Sequence, residues 1–272
     1  MCFKKVAGVL RAIAGTPHPK NYTAAIIAAG GSSVRFAGVL TKQMTPICGI
    51  PLIVHTLRAF EETECIHEIV VCAKRSEVDV YRDLCDRYGI TKLSAVVAGG
   101  NTRQESVLNG LEAVSSKAKY VAIADGARCL ITPEDISAVC RSAYKYDAAT
   151  VAIRATDTVK IADSKGFIDK TVDRSTVWLA QTPQVFKTNL YRAAAYTALK
   201  DAYSGTDDNM LVEYVKHPVR LVECGSVNIK VTTPEDMILA TAVLEERMGI
   251  RSFSTEGTEE IVLDDECSEE TV

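Results

Sequence analysis

At 272 residues, 47% hydrophobic and 24% charged, the chain has the make-up of a globule that can bury one substantial core. A formal net charge of −4 offers no basic field for nucleic acid, and no run approaches the roughly 18 consecutive apolar residues of a membrane span. Nine cysteines, an odd number with no C-x-x-C pair, argue against a disulfide framework or a cysteine zinc site and point to a reducing, cytoplasmic setting.

Taken in chain order, residues 1–22 hold Lys4, Lys5, Arg11 and Lys20 and no acid. Arg11 interrupts the apolar run, so this segment reads as a basic N-terminal extension rather than a secretory signal. Apolar, β-rich runs follow at Ala24–Ala29, Glu68–Ala73, Leu93–Ala98, Tyr120–Ala124 and Ala148–Ile153. Between them lie amphipathic helical patterns such as Val107, Leu108, Leu111 and Val114. Thr102 with Glu105 predicts a capping box, and the T-P-E-D runs from Thr132 and Thr233 supply a cap, a first-turn proline and two acids each.

Such alternation predicts an α/β fold: a single Rossmann-like domain with a mostly parallel twisted sheet and helices on both faces. Residues 154–177 break the rhythm. They are polar, with short alternating pieces on either side of Asp163-Ser164-Lys165-Gly166, and predict a β-hairpin projecting from the sheet. The end of the chain, 249–272, is acidic and poor in aromatics, which reads as a disordered tail around a nearly neutral middle, 23–248.

Ligands of open parallel sheets bind beyond the carboxyl ends of the strands, so the residues after each run matter most. Ala29-Gly30-Gly31-Ser32-Ser33-Val34-Arg35 follows the first, and its small residues let backbone N–H groups approach an anion, with Arg35 and Lys42 adding positive charge. Neither the dinucleotide nor the P-loop fingerprint is present; the bland alternative is a tight turn with two solvated cations. Gly99-Gly100 suits close contact with a flat ligand, with Ser106 able to add a hydrogen bond, or else forms an ordinary loop and cap. Asp125, after the fourth run, can hold Mg²⁺ or a ribose hydroxyl, or pair with Arg128. Lys230 stands in a predicted short strand between Ile229 and Val231, where its ammonium needs an anion or an acid. Arg174 lies on the hairpin, where a solvated arginine is the ordinary expectation. His55 falls in a helical pattern and reads as structural, and the four histidines lack metal spacing. Two glycine loops and several cations around one acid suit a nucleoside triphosphate beside a second phosphate.

In order, the set A-G-G-S-S-V-R, T-K-Q, G-G-N-T-R-Q-E-S-V, D-G-A-R, T-V-D-R, Q-T-P-Q and N-I-K-V-T-T-P-E-D resembles the 2-C-methyl-D-erythritol 4-phosphate cytidylyltransferase family over about residues 23–247. The resemblance implies a cytidylyltransferase domain over 23–248 that joins CTP to a phosphorylated polyol, methylerythritol phosphate. The product is the cytidine diphosphate derivative of non-mevalonate isoprenoid synthesis, with diphosphate released and Mg²⁺ on the triphosphate.

It further implies catalytic roles for Arg35, Lys42, Lys230 and Arg174, the last reaching across a homodimer from the 154–177 arm. Ala28, Ala29, Gly30, Gly31, Gly99, Gly100 and Ser106 resemble the cytosine pocket, and Asp125 and Ala127 the ribose and metal neighbourhood. Asp157, Thr158 and Thr182 join Arg174 as substrate contacts. Thr41 stands where the family usually has proline, and Gly126 and Cys129 where it has alanine and proline. Two rivals share parts of this pattern: a ribitol 5-phosphate cytidylyltransferase with the same chemistry, and a catalytically silent nucleotide-binding protein.

Overall fold

The run TAAIIA forms β1 (Thr23–Ala28), whose side chains alternate between two cores because successive strand residues face opposite ways. The structure, a computed structural model, describes residues 19–31, 41–225 and 227–250. Most of the N-terminal extension, the stretch 32–40 that includes Arg35, and the tail from 251 lie outside the described residues.

After β1 come a small ribbon of β2 (Pro46–Ile47) and β3 (Ile50–Pro51), then α1 (Leu52–Glu62), β4 (Ile66–Ala73) and α2 (Val78–Arg87). Next are β5 (Leu93–Ala98), α3 (Arg103–Ala113), β6 (Tyr120–Asp125), α4 (Pro133–Tyr146) and β7 (Ala148–Arg154). The hairpin is β8 (Lys160–Ala162) with β9 (Ile168–Thr171). The chain ends with β10 (Trp178–Lys187), α5 (Thr188–Lys200), α6 (Asp208–Tyr214), β11 (Arg220–Glu223) and α7 (Pro234–Arg247).

Seven strands make one sheet in the order β11-β7-β10-β6-β1-β4-β5. Its pairings are parallel except at β10, which runs against both β6 and β7. One face carries Ala25 and Ile27 against Ile53, Leu57, Tyr81 and Val139 of α1, α2 and α4. The other carries Ala24 and Ile26 against Val107, Leu111, Tyr191 and Leu211 of α3, α5 and α6. The predicted α/β domain with helices on both faces is therefore observed.

The five predicted runs are all strands, with ends differing by one or two residues at most. Two finer expectations change. Thr102 does accept from Glu105 N–H, but the Glu105 carboxylate accepts the N–H of Asn101, one residue before the cap, so the box is not closed on Thr102. At Thr233 the box is complete, with Asp236 as the returning acid. Lys230 is not in a strand: its neighbour Val231 makes one backbone bond, to Ala127 O (2.9 Å), and the segment is held by packing instead.

That packing is a small third core in which Ile47, Ala127, Leu130, Val231, Ala240 and Leu244 meet. It clamps together the ribbon after Lys42, the loop after Asp125 and the segment bearing Lys230. Complete burial of Val231 stabilises this junction by about 1.5–3 kcal/mol.

The hairpin is present as predicted. Asp163 N–H bonds Phe167 O (2.9 Å), and Gly166 takes φ +85°, a conformation that favours glycine. It forms its own two-stranded sheet, and Phe167 and Ile168 on it are exposed.

Candidate active site

The loops after β1, β5 and β6 converge on a cavity of about 410 Å³. Ala28, Gly30, Gly31, Lys42, Gly100, Ser106, Asp125, Ala127 and Lys230 all line it. Nine of the predicted positions, drawn from five separate stretches, thus meet at one place.

Six of the others do not line it. Ala29 is buried in the core, its N–H bonded to Cys72 O (2.8 Å). Gly99 lies behind the cavity: its N–H bonds Ala73 O, and a Cβ there would come within 2.7 Å of Ser106 Oγ. Thr182 stands beside Asp125 and lines the neighbouring cavity. Asp157, Thr158 and Arg174 sit exposed on the arm and line neither cavity of their own chain; Arg174 Nη1 donates to Thr156 O (2.6 Å). Arg35 lies outside the described residues.

Ser106 shapes the glycine loop from within. Its hydroxyl accepts from Gly100 N–H (3.1 Å) and donates to Thr102 O (2.8 Å), so it is engaged before any ligand arrives. Gly100 is required here because a side chain would collide with Glu105.

Asp125 is the hub. It ends β6, is 8% exposed, and its backbone N–H donates to Thr182 Oγ1 (3.0 Å). Arg103 Nε stands 3.3 Å from its Oδ1; Lys230 Nζ and Arg128 Nε stand 3.0 and 3.7 Å from its Oδ2. Burial alone would favour the neutral acid, but Lys230, Arg103 and Arg128 outweigh it and hold the carboxyl below its usual range. The acid that Lys230 requires between two apolar neighbours is Asp125.

Burial likewise opposes the charge of Arg103, yet Asp208 and Asp125 more than offset it and keep the guanidinium firmly protonated. Arg128 is pulled below its usual range by burial, and its Nη1 donates to Asn228 O (2.7 Å).

A second cavity of about 320 Å³ adjoins the first and shares Arg103, Asp125 and Lys230 with it. Gln181, Thr182 and Gln184 of β10, Arg128, Thr206 and Asp207 complete its wall. The ladder between β10 and β7 breaks register between Ala180 and Gln184, the stretch that supplies this wall.

Sequence reasoning missed Arg103, Gln184, Thr206 and Asp207 and treated Arg128 only as a partner for Asp125. Arg103 lies in the first turn of α3, and Asp207 caps α6, accepting from Met210 N–H (3.0 Å). Nothing local distinguishes such residues from ordinary helix starts.

Two of the three departures from the family pattern have local explanations. Thr41 takes φ −67°, the angle a proline ring would impose, so the approach to Lys42 keeps proline geometry without the ring. A Cβ at Gly126 would lie 2.5 Å from Ile53 Cδ1, so in this chain glycine at 126 goes with isoleucine at 53.

Lys42, Arg103, Arg128 and Lys230 give the two cavities a cationic lining suited to phosphate groups. The Ser106 hydroxyl of the first cavity accepts from Gly100 N–H and donates to Thr102 O, and the Thr182 hydroxyl of the second accepts from Asp125 N–H, so the chemistry rests on charge and positioning. That is the chemistry of a nucleotidyltransferase.

The family model for 2-C-methyl-D-erythritol 4-phosphate cytidylyltransferase matches residues 23–246. The chain is 40% identical over 227 residues to the enzyme of that name from Pelotomaculum thermopropionicum, covering 83% of this chain and 95% of the relative. Against that of Syntrophus aciditrophicus it is 42% identical over 231 residues, covering 85% and 99%. Among solved structures, 4-diphosphocytidyl-2C-methyl-D-erythritol synthase from Anaerococcus prevotii superposes with a TM-score of 0.74 at 30% identity, covering 83% of this chain and 96% of that one. The chain belongs to the 2-C-methyl-D-erythritol 4-phosphate cytidylyltransferase family.

Proposed function

We propose that this chain joins CTP to 2-C-methyl-D-erythritol 4-phosphate, giving 4-diphosphocytidyl-2-C-methyl-D-erythritol and diphosphate. The observation that carries this reading, beside family membership, is the pair of adjoining cavities that share Asp125, Arg103 and Lys230. CTP occupies the first, its base against the Gly30-Gly31 and Gly100 backbones and its triphosphate toward Lys42 and Lys230. The acceptor phosphate occupies the second, near Arg128, Thr182 and Thr206.

A phosphate oxygen of the acceptor attacks the α-phosphorus of CTP, a new O–P bond forms, and the bond to the β-phosphate oxygen breaks in line. The attacking phosphate is already ionised, so no base is needed. Two such anions repel strongly at close range. Lys42, Lys230 and Arg35 offset that repulsion and stabilise the pentavalent arrangement, most effectively once water is excluded.

The donor set fits Mg²⁺ in one mode only. No group of three or more His, Cys, Asp or Glu able to hold a metal occurs among the described residues, so a cage made wholly of protein is absent there. One carboxylate at a triphosphate site, with phosphate oxygens and water completing the shell, is how Mg²⁺ is commonly held, and Asp125 supplies that carboxylate. When bound, the ion neutralises charge on the phosphate oxygens.

The arm completes the site in this reading. Arg174, with Asp157 and Thr158, reaches the acceptor of a partner subunit in a homodimer; the exposed Phe167 and Ile168 on the arm, and its pairing with no strand of its own chain's main sheet, support this. No helix among the described residues is long and apolar enough to cross a membrane. The nine cysteines without a C-x-x-C pair support a reducing, cytoplasmic setting for the reaction.

The test is diphosphate release from CTP with either acceptor. Strong preference for methylerythritol phosphate is expected. Preference for ribitol 5-phosphate, or no metal-dependent release with any phosphorylated polyol, overturns the proposal.

A further inference from the structure

Behind the hub stands an acid that the reaction does not touch. Asp208, the first residue of α6, is 1% exposed, and its carboxylate meets two partners only a core position could provide. Arg103 Nη1 lies 2.6 Å from its Oδ2, and the hydroxyl of Tyr191, a fully buried ring stacked on Phe186, donates to its Oδ1 (2.6 Å).

Asp208 is not needed to start its helix. Asp207 is the cap, and the N–H groups of Asp208 and Asn209 donate to Gln184 Oε1 (2.9 and 3.0 Å). A buried ion pair is weak evidence for stability, since apolar side chains of similar volume serve a core as well or better. A positioning role accounts for the acid.

The geometry shows what it positions. Arg103 touches Asp125 through Nε alone, while its Nη1 is held by Asp208 on the far side. A guanidinium prefers to grip a carboxylate with two parallel bonds. Freed from Asp208, Arg103 would turn its fork onto both oxygens of Asp125, competing with Lys230 at Oδ2 and leaving fewer of the carboxylate's lone pairs for a divalent cation.

We propose that Asp208, anchored by Tyr191, is a positioning residue that restrains Arg103 to a one-point contact and so keeps Asp125 available to Lys230 and to the metal carried with CTP. This rests on the reading of the first cavity as the CTP site.

The experiment measures CTP binding to the full chain by calorimetry, with Mg²⁺ and with chelator, for wild type, Asp208→Asn, Tyr191→Phe and the double variant Asp208→Asn with Arg103→Lys. Asp208→Asn is expected to weaken Mg²⁺-dependent CTP binding by about tenfold or more, in the range of other supports to metal ligands, while metal-free CTP binding is unchanged or tighter. Tyr191→Phe shifts the same ratio by less. Lysine at 103 cannot form the fork, so the double variant recovers metal dependence. A purely structural defect would lower both binding modes together and would not be rescued.

Wild-type metal response in folded Asp208→Asn, or equal loss of both modes, overturns the inference. If Asp208→Asn does not fold, Tyr191→Phe decides in its place, and an unchanged metal response there overturns it equally. Failure of the wild type to bind CTP overturns the reading of the cavity, and this inference falls with it.

Discussion

Asp125→Asn is the most informative single substitution. The cluster of Arg103, Arg128, Lys230, Asp125 and Asp208 carries three positive and two negative groups, and the amide raises its net charge by one. Stranding cations beside a buried site costs about 3–5 kcal/mol when they cannot reach water. Here the Lys230 and Arg103 side chains are 42% and 29% exposed and can rehydrate, while Arg128, 11% exposed, keeps its bond to Asn228 O, which lowers the expectation to about 1–3 kcal/mol. The fold therefore survives.

The function does not. Loss of a charge matched to the reacting assembly is worth about 10²–10³ in turnover, or about 2.7–4 kcal/mol. Metal-free CTP binding should hold or tighten, because a more positive cluster attracts the triphosphate. Steady-state diphosphate release, CTP titration in chelator and a urea melt separate the three effects. Turnover within about threefold of wild type would refute the reasoning, as would loss of metal-free binding in a folded protein.

Four other outcomes are expected. Lys42→Ala lowers turnover by about 10²–10³, and near-normal steady-state rates would remove Lys42 from the chemistry. Gly126→Ala costs about 1–3 kcal/mol of stability from the clash with Ile53 Cδ1, and Ile53→Val, which removes that atom, relieves most of it in a double-mutant cycle followed by urea melts. His55 is buried with its Nε2 3.0 Å from Ile47 O, and burial holds its pKa below 6.5. Folding thus favours the neutral ring, so its contribution is present above about pH 6.5 and is lost as the pH falls below it; melting temperatures of His55→Gln should show a flatter slope there. Mixing Arg174→Ala with Arg35→Ala protein regenerates some activity in hybrid dimers if the arm serves the partner's site, and reassorted mixtures with none would place the arm on its own chain.

Much of this architecture was legible because continuous apolar runs such as TAAIIA leave few alternatives to a buried parallel strand. The antiparallel β10 was not, since a central strand containing Gln181-Thr182-Pro183-Gln184 looks polar and broken by proline. Its polar residues form the wall of the second cavity, which is why the local pattern misleads there.

Lys230 was legible through chemistry and misread through form. An ammonium between Ile229 and Val231 demanded a counter-charge, but the residues around it dock on a small core instead of a sheet edge. Arg103 and Asp208 were hidden for another reason. Each looks like a helix-start residue, and only the meeting of α3, α6 and β6 sets Arg103 between the carboxylates of Asp125 and Asp208.

The central claim is that cations from distant stretches of the chain converge on one CTP. A crystal structure with CTP and Mg²⁺ tests it directly. The account predicts cytosine against the Gly30-Gly31 and Gly100 backbones, with the α-phosphate between Lys42 and Lys230. Nucleotide bound elsewhere, or phosphates directed away from Lys42 and Lys230, would contradict it.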